Sequence, residues 1–210
     1  MRKIVIIGAG DGGRLVSQLV KEQEQFEVIG FIDDNEAVQG RSINGYKVIA
    51  TSADLKRFEG MGFVVAVGMN MKSRSMLFEK AVDAGLKPIN VVHRTAIIEK
   101  PAQVGNGAIV LANCVINSFA VLGRNVFIFT GTIIEHDANI GNNVYFSPGV
   151  SLAGHVKVGD NTFFGISSCT VEGVTIGSNV VVGAGSVVLR DIPDNTVVAG
   201  VPARILRRND

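Results

Sequence analysis

From Ala102 to Asp191 the chain reads in sixes without a slip: AQVGNG, AIVLAN, CVINSF, AVLGRN, VFIFTG, TIIEHD, ANIGNN, VYFSPG, VSLAGH, VKVGDN, TFFGIS, SCTVEG, VTIGSN, VVVGAG, SVVLRD. The third place of each hexad is apolar, from Val104 and Val110 through Ile134, Phe146 and Phe164 to Val188, with Thr170 as its one polar member. The first place holds small or β-branched residues. A longer period lies on top: Gly105, Gly123, Gly141, Gly159 and Gly177 recur every eighteen residues. Six is neither the helical nor the simple strand period, and a fixed repeat outranks local propensity. Three strands of six make one triangular coil of eighteen with an inward column, and coils stack at roughly 4.8 Å. Each coil buries its edge against the next, so the array is stable only as a stack.

Ahead of the repeat the pattern alternates between strand-like and helix-like. Lys3–Gly8 is a continuous apolar run, as in a strand buried on both faces. Leu15, Val16, Leu19 and Val20 then recur at helical spacing. Strands are expected at Phe26–Ile32, Gly45–Ile49, Phe63–Val67 and Pro88–Val92, and helices at Asp54–Phe58 and Ser73–Ala84. Such alternation argues for a parallel sheet. The expected architecture is an α/β Rossmann-like domain over 1–92, followed by an all-β solenoid over 93–210. In this reading HRTAIIEKPA is the entry coil and VVAGVPARILRR the tail.

Composition changes little. The chain has 210 residues, 47% of them hydrophobic, and a net charge of +1, which gives no electrostatic reason to expect nucleic acid or an anionic membrane as partner. Cys114 and Cys169 have no metal-ligand spacing, so a reduced, cytoplasmic setting is the default. The apolar start is too short for a signal peptide and runs straight into a glycine turn.

Two constellations carry chemistry. Gly8-Ala9-Gly10-Asp11-Gly12-Gly13 matches GxGxxG between a strand and a helix, where backbone N–H groups and a helix N-terminus favour a pyrophosphate. Asp33 and Asp34 close the next strand, where a carboxylate meets a ribose in NAD sites. The same loop suits the diphosphate of a nucleotide-linked sugar, with a carboxylate accepting the base's imide N–H. The plainer reading is a tight turn with solvated aspartates. In the solenoid, Glu135-His136-Asp137 ends one hexad, and His155 lies eighteen residues beyond Asp137. An imidazole beside a carboxylate has the composition of a general base with an orienting group. On spacing alone either histidine can pair with Asp137, and a solvated corner histidine is the alternative. A trimeric β-helix metal site needs three converging histidines, and the solenoid repeat offers only two, so no metal is expected.

The order of parts, with FIDDN, VAVGMN, VVH, IEHDANIG and GVPAR, resembles the sugar acyltransferase family that includes bacillosamine N-acetyltransferases and sialic acid O-acetyltransferases. The resemblance implies a left-handed β-helix and a homotrimer with sites between subunits. It also implies an acetyl-CoA-dependent N-acetyltransferase acting on a nucleotide-linked amino sugar in bacterial glycan synthesis. The carrier would be UDP, or else dTDP or GDP. It implies His136 as general base with Asp137 raising its basicity. It places the sugar nucleotide at Gly10, Asp11, Gly12, Asp33, Asp34 and Gly68, and coenzyme A along Gly154, Ile166 and Ala184. Arg204, Arg207 and Arg208 could meet its 3′-phosphate. The sequence departs from the family at Phe129, where asparagine is usual, at Tyr145, where some members have a second histidine, and at Gly12, where histidine is common. Sialic acid O-acetylation and a non-enzymatic NAD-binding regulator are the competing functions.

Overall fold

The computed structural model describes residues 1–209, and the chain forms two compact units, Met1–Val91 and the remainder from Val92. The sequence-based division at 92/93 lies one residue further along.

The first unit is built from β1 (Arg2–Ile7), α1 (Asp11–Lys21), β2 (Phe26–Ile32), β3 (Ser42–Ile43), β4 (Tyr46–Ala50), β5 (Gly62–Val65), α2 (Met71–Asp83) and β6 (Lys87–Pro88). Its sheet runs β3-β4-β2-β1-β5-β6. All neighbours are parallel except the β3–β4 hairpin, whose turn residues Asn44 and Gly45 both have positive φ. β1 is central and fully buried from Ile4 to Val65's partner Ile7, which explains its unbroken apolar run. Strand order reverses at β1, so a crevice is expected beyond its C-terminal end.

Four local expectations need adjustment. Leu15 is not on the buried stripe of α1; that face consists of Gly13, Val16, Ser17, Leu19 and Val20. The expected helix at Asp54–Phe58 is a 3-10 segment, Ser52–Phe58, opened by a Thr51–Asp54 capping box. α2 starts two residues early because the Asn70 side chain accepts from Ser73 N at 2.9 Å and caps it. The expected strand at Pro88–Val92 is two pieces, Lys87–Pro88 and Val91–Val92, which belong to different sheets.

The second unit is a three-sided solenoid of two-residue strands, each paired in parallel with the strand eighteen residues on: Val115 with Ile133, Ile133 with Ser151, Val121 with Asn139, and Phe127 with Tyr145. It is a left-handed β-helix. The third hexad place points inward, and from Val110 to Val188 that column is buried throughout. Phe146 and Phe164 stack within it at 5.0 Å. Thr170 belongs to the column too: its Oγ1 accepts the Ala153 N–H at 3.1 Å, which satisfies the hydroxyl inside the prism. The eighteen-residue glycine series marks one prism edge where successive coils nearly touch. A Cβ on Gly105 would lie 2.5 Å from the Gly123 carbonyl oxygen, and one on Gly123 would lie 2.7 Å from that of Gly141. Thr196–Ala199 continues one side in parallel, and Arg204–Arg208 folds back on it as an exposed antiparallel strand. No helix among the described residues is long and apolar enough to cross a membrane.

Candidate active site

The prism edge that follows the Ile133–Ile134 strand carries Glu135, His136 and Asp137 on one coil and Gly154 and His155 on the next. Asp137 and His155 occupy equivalent corner positions, with φ of 58° and 59°. His155 N donates to His136 O at 3.0 Å and so locks the two coils together here. His136 Nδ1 lies 2.9 Å from Asp137 Oδ2, so His136 is the histidine that takes the carboxylate. In the tautomer with the proton on Nδ1, that nitrogen donates to Asp137 and Nε2 keeps a free lone pair. The hydrogen bond to Asp137 pushes the His136 pKa above the ordinary histidine value. The charges of Asp137, Glu135 and Glu172 add to the rise, and partial burial opposes it. Glu135 is itself held by Asn117 Nδ2 at 2.8 Å, one coil earlier.

Gly154 has a steric role that the sequence reading missed. It is the eighteen-residue neighbour of His136, and the imidazole lies over it. A Cβ there would sit 2.7 Å from Cε1 and 2.8 Å from Nε2. Of two further neighbours, His155 was already a candidate from its spacing and only Glu172 was missed. The His155 ring stands edge-on to that of His136 at 5.2 Å, and Glu172 Oε1 is 4.0 Å from His155 Nε2. The spacing signal for these contacts was present, since each partner is one coil away, give or take a residue.

The three positions aligned with coenzyme A do not share an edge. Ile166 and Ala184 are exposed neighbours on the edge after the Phe163 strand, where Gly185 N donates to Ile166 O at 2.7 Å. Gly154 is on the following edge, one prism side away. Phe129 and Tyr145, the positions of departure, pack their rings 5.1 Å apart in a ladder with Phe127 and Phe163. Cys114 is buried, which pushes its thiol pKa up, and neither cysteine is in a disulfide. His93 makes a local turn contact, its Nδ1 accepting from Thr95 N at 3.1 Å.

In the first unit a cleft of about 270 Å³ opens at the end of β1, lined by Gly8, Asp33, Asp34, Ser52, Ser73 and Met76 among others. Its glycine loop is tight for steric reasons: Gly8 has φ +103°, and a Cβ on Gly13 would lie 2.0 Å from Gly8 O. Asp33 Oδ2 accepts Ala9 N at 2.7 Å and Oδ1 accepts Asn35 N at 2.9 Å. Asp34 takes both the Ser52 N–H, at 2.6 Å, and the Ser52 hydroxyl, at 2.8 Å, while Lys80 Nζ donates to that hydroxyl at 2.8 Å. Both aspartates therefore have structural work besides any ligand. Gly10 and Asp11 are exposed, Gly12 is half-buried and Gly68 exposed; none of the four lines the cleft. Asp11 lies 3.8 Å from Arg14. Ser52 and Lys80 were not anticipated, and no motif announces them.

Comparison with known proteins agrees with the two-part architecture. The PglD N-terminal domain family matches residues 3–81, and the hexapeptide repeat of succinyl-transferase matches 120–152 and 155–190. The acetyltransferase domain of PglB from Neisseria gonorrhoeae FA1090 superposes with a TM-score of 0.90 at 32% identity, covering 98% of this chain and 100% of that one. Its complex with acetyl coenzyme A matches at 34% identity and TM-score 0.90, over 98% and 99% of the two chains. PerB from Caulobacter crescentus, in complex with CoA and GDP-perosamine, matches at 32% identity and TM-score 0.91, over 99% and 98%. A search of curated proteins returned no match. The chain belongs to the family of acetyl-CoA-dependent sugar acetyltransferases that join a PglD-type N-terminal domain to a left-handed hexapeptide-repeat β-helix.

Proposed function

We propose that this protein transfers the acetyl group of acetyl-CoA to the amine of a nucleotide-linked 4-amino-4,6-dideoxy sugar, with His136 as general base. The observation that carries the reading is the His136–Asp137 pair at 2.9 Å, with the ring resting on Gly154 at an exposed solenoid edge. It occurs in a chain alignable end to end with an enzyme crystallised with CoA and GDP-perosamine. Variants of that enzyme with one histidine changed to asparagine or alanine, also bound to CoA and GDP-perosamine, match equally well.

The neutral amine attacks the thioester carbonyl carbon, forming a C–N bond and moving the carbonyl electron pair onto oxygen. The Gly154 N–H, which makes no hydrogen bond among the described residues, is available to that oxyanion. His136 Nε2 takes the proton from nitrogen while Asp137 holds the imidazolium. As the carbonyl re-forms, the C–S bond breaks and the departing thiolate recovers the proton from His136. No side chain at this edge is a covalent nucleophile, so transfer is direct. The cleft at Asp33 and Asp34 is the proposed seat of the nucleotide, with the diphosphate at Gly10–Gly12, Asp11 turned to solvent, and Gly68 at the facing loop.

A single prism presents Gly154 and the Ile166–Ala184 pair on different edges, separated by one side of roughly 15–20 Å. One coenzyme groove lined by all three therefore draws on two copies, which supports a homotrimer. The cosubstrate and the two free cysteines suit a cytoplasmic enzyme of glycan synthesis. Nothing at the site favours a sialic acid hydroxyl or an NAD-only role. The test is a panel of UDP-, dTDP- and GDP-linked 4-amino sugars with acetyl-CoA, read by mass. A gain of one acetyl group on at least one member is expected, from particles of three times the 22.2 kDa chain by light scattering. No acetylation on any member, or acetylation only of a hydroxyl sugar, overturns the reading.

A further inference from the structure

His155 is not needed by the transfer chemistry, yet it stands against the proposed base. One ligand atom from each of His136, Asp137 and His155 lies within 4.8 Å of the others. The three side chains are 50%, 43% and 55% exposed, so they can rotate without moving the backbone. Donor atoms of a tetrahedral zinc ion are roughly 3.3 Å apart, given metal–nitrogen bonds of about 2.0–2.1 Å, and rotation of exposed side chains closes that gap. The edge-on ring arrangement keeps the imidazoles from stacking and lets nitrogens of both converge. Two imidazoles and one carboxylate are the donor set of open, three-ligand zinc sites. The surroundings favour a dication: Glu135, Asp137 and Glu172 all bear on His136, and Glu172 lies 4.0 Å from His155 Nε2, placed to orient that ring.

We propose that His136, Asp137 and His155 form a binding site for a divalent transition metal of the zinc class, and that occupancy switches off acetyl transfer. The regulatory half rests on the proposed role of His136 as base; the binding half does not. A metal on Nε2 takes the lone pair that receives the proton. A metal on Nδ1 displaces the hydrogen bond to Asp137 instead. Either mode removes the base. Inhibition here needs no backbone movement, because the inhibitor and the proton compete for one imidazole.

The experiment uses full-length protein without a histidine tag, stripped by chelator and titrated with zinc chloride by calorimetry and with cobalt(II) by visible absorption. Wild type is expected to bind one ion per chain, with the cobalt spectrum of a nitrogen-ligated site. His155→Ala should weaken binding about 10- to 100-fold, while His93→Ala leaves it unchanged. Circular dichroism melts confirm that both variants are folded. In parallel, thioester loss is followed at controlled free zinc: wild type is inhibited and recovers with EDTA, whereas His155→Ala keeps its metal-free rate and resists inhibition. Equal zinc affinity in wild type and His155→Ala, or loss of affinity in His93→Ala instead, overturns the site. Tight, His155-dependent binding without inhibition overturns the switch. Metal binding in a protein that acetylates no sugar leaves the site standing and removes the transferase reading; acetylation without metal binding does the reverse.

Discussion

His136 and Gly154 are eighteen residues apart and touch. Asp34 and Ser52 are also eighteen apart and share two hydrogen bonds, at 2.6 and 2.8 Å. The two intervals are equal for unrelated reasons. In the solenoid, eighteen residues is one coil, so every position meets its neighbour by the same rule, and backbone bonds such as His155 N to His136 O repeat along the prism. In the first unit, Asp34 and Ser52 meet because β2 and β4 happen to be adjacent, with a short 3-10 turn, Glu36–Val38, and the β3–β4 hairpin between them. A repeat turns sequence distance into spatial distance; a wound sheet does so only after its topology is known. Substitutions can test whether the solenoid's regularity also governs its energetics and chemistry.

The largest effect is expected at the proposed base. His136→Ala should lower kcat by about a hundred- to ten-thousandfold while the melting temperature stays near wild type, because the imidazole is half exposed and belongs to no buried core. Steady-state kinetics and a thermal melt on the same preparation check both halves. A nearly unchanged kcat would show that the edge's geometry is incidental. Next comes the inward column. Phe146 and Phe164 are both fully buried and stack across adjacent coils, so Phe146→Ala leaves a cavity that no surface residue can fill. A loss of about 3–5 kcal/mol in urea unfolding is expected. A loss under about 1 kcal/mol would mean that the coils relax around the gap, contrary to a close-packed stack.

What could be read beforehand follows the same division. The solenoid's inward column, its glycine edge and the His136–Asp137 candidates came from spacing, because one number sets every contact. Even the polar exception explains itself: Thr170 stays in the column since its hydroxyl finds the Ala153 N–H. Spacing did not say which histidine would take Asp137. That depends on side-chain rotamers at a corner where two residues compete. In the first unit the elements were legible from their apolar runs, while the cleft's polar lining was not. Ser52 reaches Asp34 from a 3-10 turn and Lys80 reaches Ser52 from α2, and no sequence period links those segments. Leu15 was misplaced because four apolar residues in α1 span more of the helix than its buried face accommodates.

Two smaller changes set the regions against each other directly. Gly154→Ala inserts a methyl 2.7 Å from the His136 ring at a residue whose φ needs no glycine, so it acts by contact alone. The ring must swing aside, and kcat should fall about 10- to 100-fold with little change in stability. In the first unit, Asp34→Ala leaves the Ser52 N–H and hydroxyl without their acceptor. It should cost about 1–3 kcal/mol and raise KM for the nucleotide sugar while leaving kcat much less affected. Equal effects on kcat and KM in both variants would erase the distinction between an edge that does chemistry and a cleft that holds the carrier.

The smallest expected effect is a displacement along the pH axis. With His136 as the proposed base, transfer needs it neutral at Nε2, so the rate rises as pH climbs through the His136 pKa, which the bond to Asp137 holds above the ordinary histidine value. Asp137→Asn keeps a hydrogen-bond acceptor for Nδ1 but removes the charge. The pKa then falls, and the acid limb of the kcat/KM profile moves to lower pH. Glu135 and Glu172 remain and continue to favour the imidazolium, so the displacement stops short of an isolated histidine's position. Above both limbs the variant is slower than wild type by about tenfold or less, since its imidazolium lacks a counter-charge in the transition state. Below the wild-type limb the two rates converge, because the variant retains more neutral ring there. Superimposable acid limbs would show that a different group titrates and that the pair at this edge is only a structural contact.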